Sequence, residues 1–284
     1  MKMLIYIALT LLLSCPAGQS NPNEAETAPL IRTHGVKINV DDMEKALSFY
    51  VGKLGFEVED RSGHPGYVVL KSDGRNRLML NRVKKLRKPN PSDTRFSFTL
   101  QVNDLDRAIE RMRSLGVEFA ETGRRKEGVG DAISIKDPFG RTISLMHQTI
   151  VKVEPFKEPK LYNFGFLIPD MEAGRVFYSR KLGFVVRSDK YLPLDLPLGH
   201  RDKSFAFMLH YRPGVQAIKS NHSTAAPFNT LVFETHSLQE AVKELEAHGV
   251  RILSGRKPQR GARGVYVEIE DPFGNVSEIL EVVN

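Results

Sequence analysis

The sequence predicts an α+β protein built from two tandem homologous domains, and three observations carry that prediction. An ordered set of motifs occurs twice, each copy alternates strand-like and helix-like segments, and each copy ends in the same hairpin signature. Val40-Asp41-Asp42-Met43-Glu44, Phe49-Tyr50 and Leu54-Gly55-Phe56 return as Ile168-Pro169-Asp170-Met171-Glu172, Phe177-Tyr178 and Leu182-Gly183-Phe184, all displaced by 128 residues. Leu115-Gly116-Val117 returns as His248-Gly249-Val250 at a displacement of 133, and Asp137-Pro138-Phe139-Gly140 as Asp271-Pro272-Phe273-Gly274 at 134. The second copy therefore holds about six extra residues, assigned to 189–229, and a period this long marks duplicated domains. The domains span 31–150 and 161–284, joined by a linker at 151–160.

Each copy reads as strand, helix, strands, and then the same again. Val36, Ile38 and Val40 alternate with Lys37 and Asn39, the period of a half-buried strand. Asp42 caps a helix whose Met43, Ala46, Leu47, Phe49, Tyr50 and Leu54 form an apolar stripe, and Gly55 stops it. Arg77–Asn81 and Arg95–Val102 read as strands. Asp104 caps a second helix, with Leu105, Ala108, Ile109, Met112 and Leu115 on one face and Gly116 after it. Ala132–Ile135 and Thr142–Met146 flank the Pro-Phe-Gly turn as a hairpin. The late helix of copy two repeats the spacing in Leu238, Ala241, Val242 and Leu245.

Composition bounds the function. In 284 residues, 22 Gly and 16 Pro are ordinary globular usage, which excludes low complexity and wholesale disorder. A single cysteine excludes an intramolecular disulfide and a Cys-based zinc cluster. That cysteine, Cys15, follows the apolar run Leu4–Leu13, which is too short for a bilayer span of about 20 residues but fits a secretory signal. The order Leu12-Leu13-Ser14-Cys15 resembles a bacterial lipobox, so residues 1–20 read as a signal peptide with Cys15 lipidated, or as one cleaved near Ala17–Ser20. Residues 21–30 read as a disordered linker, and the expected location is the bacterial envelope or periplasm. The net charge of +7 comes from 41 Lys and Arg against 34 Asp and Glu. The clusters Arg82, Lys84, Lys85, Arg87, Lys88 and Arg124, Arg125, Lys126 read as solvated loops without a nucleic-acid motif, as Arg260-Gly261-Ala262-Arg263-Gly264 reads as a turn.

The ordered motif set, the Val-x-Asp, Phe-Tyr and Leu-Gly-Phe series with the Asp-Pro-Phe-Gly hairpin, resembles the vicinal oxygen chelate superfamily. That family includes glyoxalase I, extradiol dioxygenases and the fosfomycin- and bleomycin-resistance proteins. The resemblance implies tandem domains, each of two βαβββ modules forming a curled sheet around a cavity. It also implies up to four metal-donor positions per domain. In copy one these fall at Gly35, Met79, Ser97 and Ser144, and in copy two at Asn163, Met208, Thr230 and Glu278. Only Glu278 is a good ligand, and divalent ions need several charged or imidazole donors converging on one point. His34 lies one residue off and faces away unless a bulge corrects it. His147, three residues past Ser144, faces away as well.

These readings lead to a degenerate metal site, with no cofactor expected and a divalent metal as the rival. Strand parity gives a polar lining of Lys37, Asn39, Asn81, Ser97, Thr99 and Ser144 in copy one, beside Met79, and of Asn163, His210, Thr230, Glu234 and Glu278 in copy two, beside Met208. Glu278 and His210 are the catalytic candidates, His210 acting with Glu278 or Glu234 to bind a metal or move a proton. Lys37 would meet an anionic ligand, or be solvated if at a sheet edge. His64, His200, His222, His236 and His248 read as surface or capping residues. The segment Tyr191–Pro197 reads as a lid over the cavity or as packing between domains. The expected function is binding of a small organic molecule, with no nucleic acid, membrane contact through the lipid anchor, and a pseudo-dimer within one chain. The alternatives are a metal-dependent glyoxalase-like lyase or dioxygenase-like enzyme, and an envelope interaction protein with a vestigial cavity.

Overall fold

The computed structural model describes residues 31–61, 64–71, 76–86, 96–150, 152–202, 204–215, 229–253 and 257–282. The signal segment, Cys15, the linker 21–30, Arg87, Lys88 and His222 lie outside them.

Four modules follow one another, each a strand, a helix and further strands. The first holds β1 (Arg32–Val40), α1 (Met43–Leu47, continuing as a π-helical turn over Ser48–Lys53), β2 (Glu57–Asp60), β3 (Tyr67–Lys71) and β4 (Arg77–Arg82). The second holds β5 (Phe96–Gln101), α2 (Leu105–Ser114), β6 (Arg125–Glu127), β7 (Gly130–Lys136) and β8 (Thr142–Gln148). The third holds β9 (Lys160–Ile168), α3 (Met171–Arg175, continuing over Val176–Lys181), β10 (Val185–Val186), β11 (Asp195–Gly199) and β12 (Phe205–Tyr211). The fourth holds β13 (Asn229–Thr235), α4 (Leu238–Ala247), β14 (Arg251–Ile252), β15 (Gln259–Gly261), β16 (Gly264–Glu270) and β17 (Val276–Glu281).

The helix caps are those the sequence marks. Asp42, Asp104 and Asp170 accept from the backbone N–H of Lys45, Arg107 and Ala173 at 2.9, 3.1 and 3.0 Å, satisfying otherwise orphaned donors. The wide turns after α1 and α3 carry the adjacent pairs Phe49-Tyr50 and Phe177-Tyr178, all four buried. Leu115, placed on the buried stripe of α2, is instead its partly exposed C-cap.

The modules pair across the repeats. Sheet one runs β14-β16-β17-β13-β1-β4-β3-β2 and joins the first module to the fourth; sheet two runs β10-β11-β12-β9-β5-β8-β7-β6 and joins the third to the second. The joints are the antiparallel pairs β1·β13 and β5·β9. Each repeat thus contributes one module to each curled sheet, and no sheet belongs to one repeat. The two modules of a repeat are tied by the recurring motifs: Tyr50 donates to Asp137 and Tyr178 to Asp271, each at 2.8 Å and buried. One apolar core covers the helix-bearing faces of both sheets, bridged by rings such as Phe184, Phe207 and Phe233.

Two segments read as irregular are strands. Arg125–Glu127 is the edge strand β6, and Arg260-Gly261 belongs to the β15–β16 hairpin. Both are three-residue strands with no fully buried residue, so they carry no hydrophobic alternation to read.

Candidate ligand cavity

The faces opposite the core are where the resemblance places ligand sites, and the two sheets differ there. In sheet one the register aligns Lys37 with Thr230 and Met79, Val232 with Glu278, Glu278 with Glu268, and Tyr266 with Leu280. Val69, Met79, Val232 and Leu280 form a buried apolar cluster with Tyr67, Tyr266 and Val282 packed on it. Lys37 Nζ pairs with Glu278 and lies 5.8 Å from the Tyr266 ring centre. Burial lowers the Lys37 pKa to about 8, opposed by the charge of Glu268. Far from a sheet edge, Lys37 sits at the centre of the sheet. Arg263 closes the curl by pairing with Asp60 on β2.

Sheet two supplies most of the wall of a cavity of about 1100 Å³, to which Val36, Ile38 and Asn229 of sheet one also contribute. The register of sheet two is the same with smaller side chains. Gly165 stands where Lys37 does, Thr99 for Val232, Ser134 for Glu268, Ser144 for Glu278 and Ala132 for Tyr266. Gly165 is required there: a Cβ would come within 1.7 Å of the Met208 carbonyl oxygen.

Of the predicted lining, Ser97, Ser144, Asn163 and His210 face this cavity, with Thr99 and Met208. Lys37, Asn39, Asn81, Thr230, Glu234 and Glu278 lie on sheet one, where Asn81 donates to Asn39 at 2.7 Å and Thr230 is fully buried. The proposed pairing of His210 with Glu278 or Glu234 is therefore corrected. The exchange of modules puts the two halves of copy two in different sheets. His210 Nδ1 instead donates to Asp195 at 2.7 Å, its direct cross-strand partner. Glu234 accepts from His34 at 2.6 Å, because β1 has the bulge between Thr33 and Gly35 that His34 needs to reach this neighbour.

Sequence reasoning missed Arg125. From β6 its guanidinium donates to Ser134 at 2.8 Å and to Glu127 at 2.6 Å, and it also binds Ser144 and Glu121. A basic cluster was the only signal, and it does not say which arginine turns inward. Tyr191, Asp195 and Pro197 of the segment predicted as a lid line the cavity, whereas Leu196 is buried in the core and Leu192 and Leu194 are exposed. His200, read as a surface residue, is also buried, beside the Phe184 ring, and accepts from Thr33 N–H at 3.4 Å. His147 faces away, toward the Val102 carbonyl.

The exchange also regroups the implied metal positions into Gly35, Met79, Thr230 and Glu278 in sheet one and Asn163, Met208, Ser97 and Ser144 in sheet two. Neither set fits a divalent ion. The first offers one carboxylate, already neutralised by Lys37, and the second offers four neutral side chains with the Arg125 cation against Ser144. Among the described residues no three His, Cys, Asp or Glu side chains are grouped to hold a metal.

Two polar atoms of the cavity wall, Asn163 Oδ1 and Ser97 Oγ, are buried without a hydrogen-bond partner among the described residues. Unpaired buried acceptors cost about 1–3 kcal/mol each.

In structure the chain is similar to glyoxalase I from Zea mays, with a TM-score of 0.68, 19% identity, and 88% of this chain and 92% of that one covered. It is also similar to a putative dioxygenase from Bacillus subtilis, with a TM-score of 0.62, 11% identity, and 92% and 87% covered. At these identities the likeness is one of fold. Among curated proteins none matches in sequence. The family model described as Glyoxalase/Bleomycin resistance protein/Dioxygenase superfamily matches residues 32–145 and again 161–279, and the chain belongs to that superfamily.

Proposed function

We propose that the protein binds a small organic molecule in the sheet-two cavity without a divalent metal. The observation that carries this is the asymmetry of the sheets: equivalent positions hold Lys37, Tyr266, Glu268 and Glu278 in one and Gly165, Ala132, Ser134 and Ser144 in the other. A cavity of about 1100 Å³, with apolar residues such as Phe96, Phe205 and Met146 interleaved with many polar ones, is large enough to hold a small molecule. Export through residues 1–20, with Cys15 as the lipidated residue, belongs to the same proposal. Mass spectrometry of the amino-terminal peptide of the cell-derived protein tests that part.

The test of the cavity is a thermal-shift screen of small organic molecules with EDTA present throughout. Ligands that stabilise the protein are expected, and Ser97→Phe, which puts a ring into the cavity from a lining position of β5 that is not fully buried, is expected to abolish their effect while the variant stays folded. Stabilisation that survives Ser97→Phe, or that requires added metal, would sink the proposal.

A further inference from the structure

The group in the cavity that neither the family resemblance nor the fold accounts for is the His210–Asp195 pair. We propose that His210 is the acceptor by which the cavity selects its ligand, an apolar or aromatic small molecule that presents a neutral O–H or N–H donor. This rests on the cavity being a binding site, as proposed above.

The hydrogen-bond count leads there. Asp195 and His210 stand opposite each other on β11 and β12, and Nδ1–H donates to Asp195 Oδ1 at 2.7 Å. A carboxylate only accepts, so the ring proton is held on Nδ1 and the lone pair is left on Nε2. The neighbour of Nε2 is the Asn163 side-chain nitrogen at 3.4 Å, a donor at the long end of hydrogen-bonding distance. Asn163 is 7% exposed and His210 9%, so water competes poorly for either. The cavity thus presents a weakly used acceptor at Nε2, an unused acceptor at Asn163 Oδ1, and the Ser97 hydroxyl, which can accept or donate. The Arg125 donors of this wall are bound to Ser134, Ser144, Glu121 and Glu127, so the groups left unpaired near His210 are mainly acceptors, and a ligand that brings a donor satisfies them. Phe96, Phe205, Met146 and Met208 supply the apolar remainder.

A site built around a hydrogen bond to the ligand rejects the analogue that lacks the donor far more strongly than an apolar pocket rejects a missing methylene. Asp195 is a positioning residue here. It touches His210 rather than the selecting contact, and its removal should change the tautomer as well as the affinity.

Two measurements on the purified protein test this. In long-range ¹H–¹⁵N spectra, with the His210 signals assigned through His210→Phe, the Nδ1–H tautomer is expected, shifting toward Nε2–H in Asp195→Asn. An Nε2–H tautomer or a doubly protonated ring in the wild-type protein would overturn the proposal, because Nε2 would then donate. Binding is measured for two matched pairs, 2-naphthol against 2-methoxynaphthalene and indole against 1-methylindole. The donor-bearing member is expected to bind at least about tenfold more tightly, with the preference lost in His210→Phe and reduced in Asp195→Asn. Equal binding within both pairs, or a preference that survives His210→Phe, overturns the selection by His210 and leaves the cavity reading standing. Failure of all four probes to bind overturns the cavity reading beneath it.

Discussion

Lys37 and Glu278 show how a single pair decides what a curled sheet can hold. Removing one partner from a buried ion pair leaves an uncompensated charge, which costs about 3–5 kcal/mol, whereas replacing both by apolar residues is often neutral. Lys37→Met is therefore expected to lose about 3–5 kcal/mol in urea denaturation, and Lys37→Met with Glu278→Leu to recover most of it. Desolvation of Lys37, opposed by the charge of Glu268, also sets a pH dependence. The folded-state pKa of Lys37 is lowered to about 8 from 10.5, so between those values the native chain has released a proton that the unfolded chain still binds. Stability then rises with pH across that window, and below about pH 8 the burial penalty on the charged form is present in full. Denaturation at pH 7.5 and pH 10, read against the double variant, should show the wild type gaining on the order of 1–3 kcal/mol.

At the scale of elements, the recurring tyrosine and aspartate join pieces that lie far apart in the chain. Tyr50→Phe and Tyr178→Phe each leave a buried carboxylate short of one donor, and each is expected to cost about 1–3 kcal/mol. The sites are separate, so the double variant should be close to additive in denaturant unfolding. Asp137 keeps the buried Arg141 guanidinium at 2.8 Å, while at the equivalent place Asp271 has Asn275 at 2.7 Å. Desolvation raises the Asp271 pKa. Strand β9 gives a further prediction. Gly165→Ala pushes a Cβ into the Met208 backbone, so β9 and β12 must separate, with an expected loss of about 1–3 kcal/mol or failure to fold, read by thermal melting. The helices were legible at this scale because capping aspartates and apolar stripes are local signals. Strands β6 and β15 were not, because β15 is exposed throughout and the inward side of β6 carries the polar Arg125 and Glu127, so neither leaves a hydrophobic alternation behind.

For the whole molecule, the exchange of modules makes the two repeats interdependent. A fragment of residues 31–155 retains β1 and β5 without β13 and β9, exposing two strand edges and much of the apolar core. It is expected to dimerise or aggregate rather than form a stable monomer, as size-exclusion chromatography with light scattering would read. The donor sets of both sheets also predict that elemental mass spectrometry finds metal well below one equivalent per chain after dialysis against Zn, Ni, Mn or Fe(II). EDTA should leave the melting temperature unchanged.

The sequence by itself determined the duplicated α+β architecture, the superfamily resemblance, and the caps and hairpins. All of these follow from local periodicity or from comparing one copy with the other. Only the tertiary structure decided that modules pair across the repeats, and with that which candidates share a site. His210 was separated from Glu278 and given to Asp195, Glu278 was given to Lys37, and Ser97, Ser144, Asn163 and His210 were gathered around one cavity. The physical reason is that strand parity fixes a side chain's face but not its neighbours. Choosing a partner strand depends on closing a core over long sequence separations, and no local pattern in the chain records that choice.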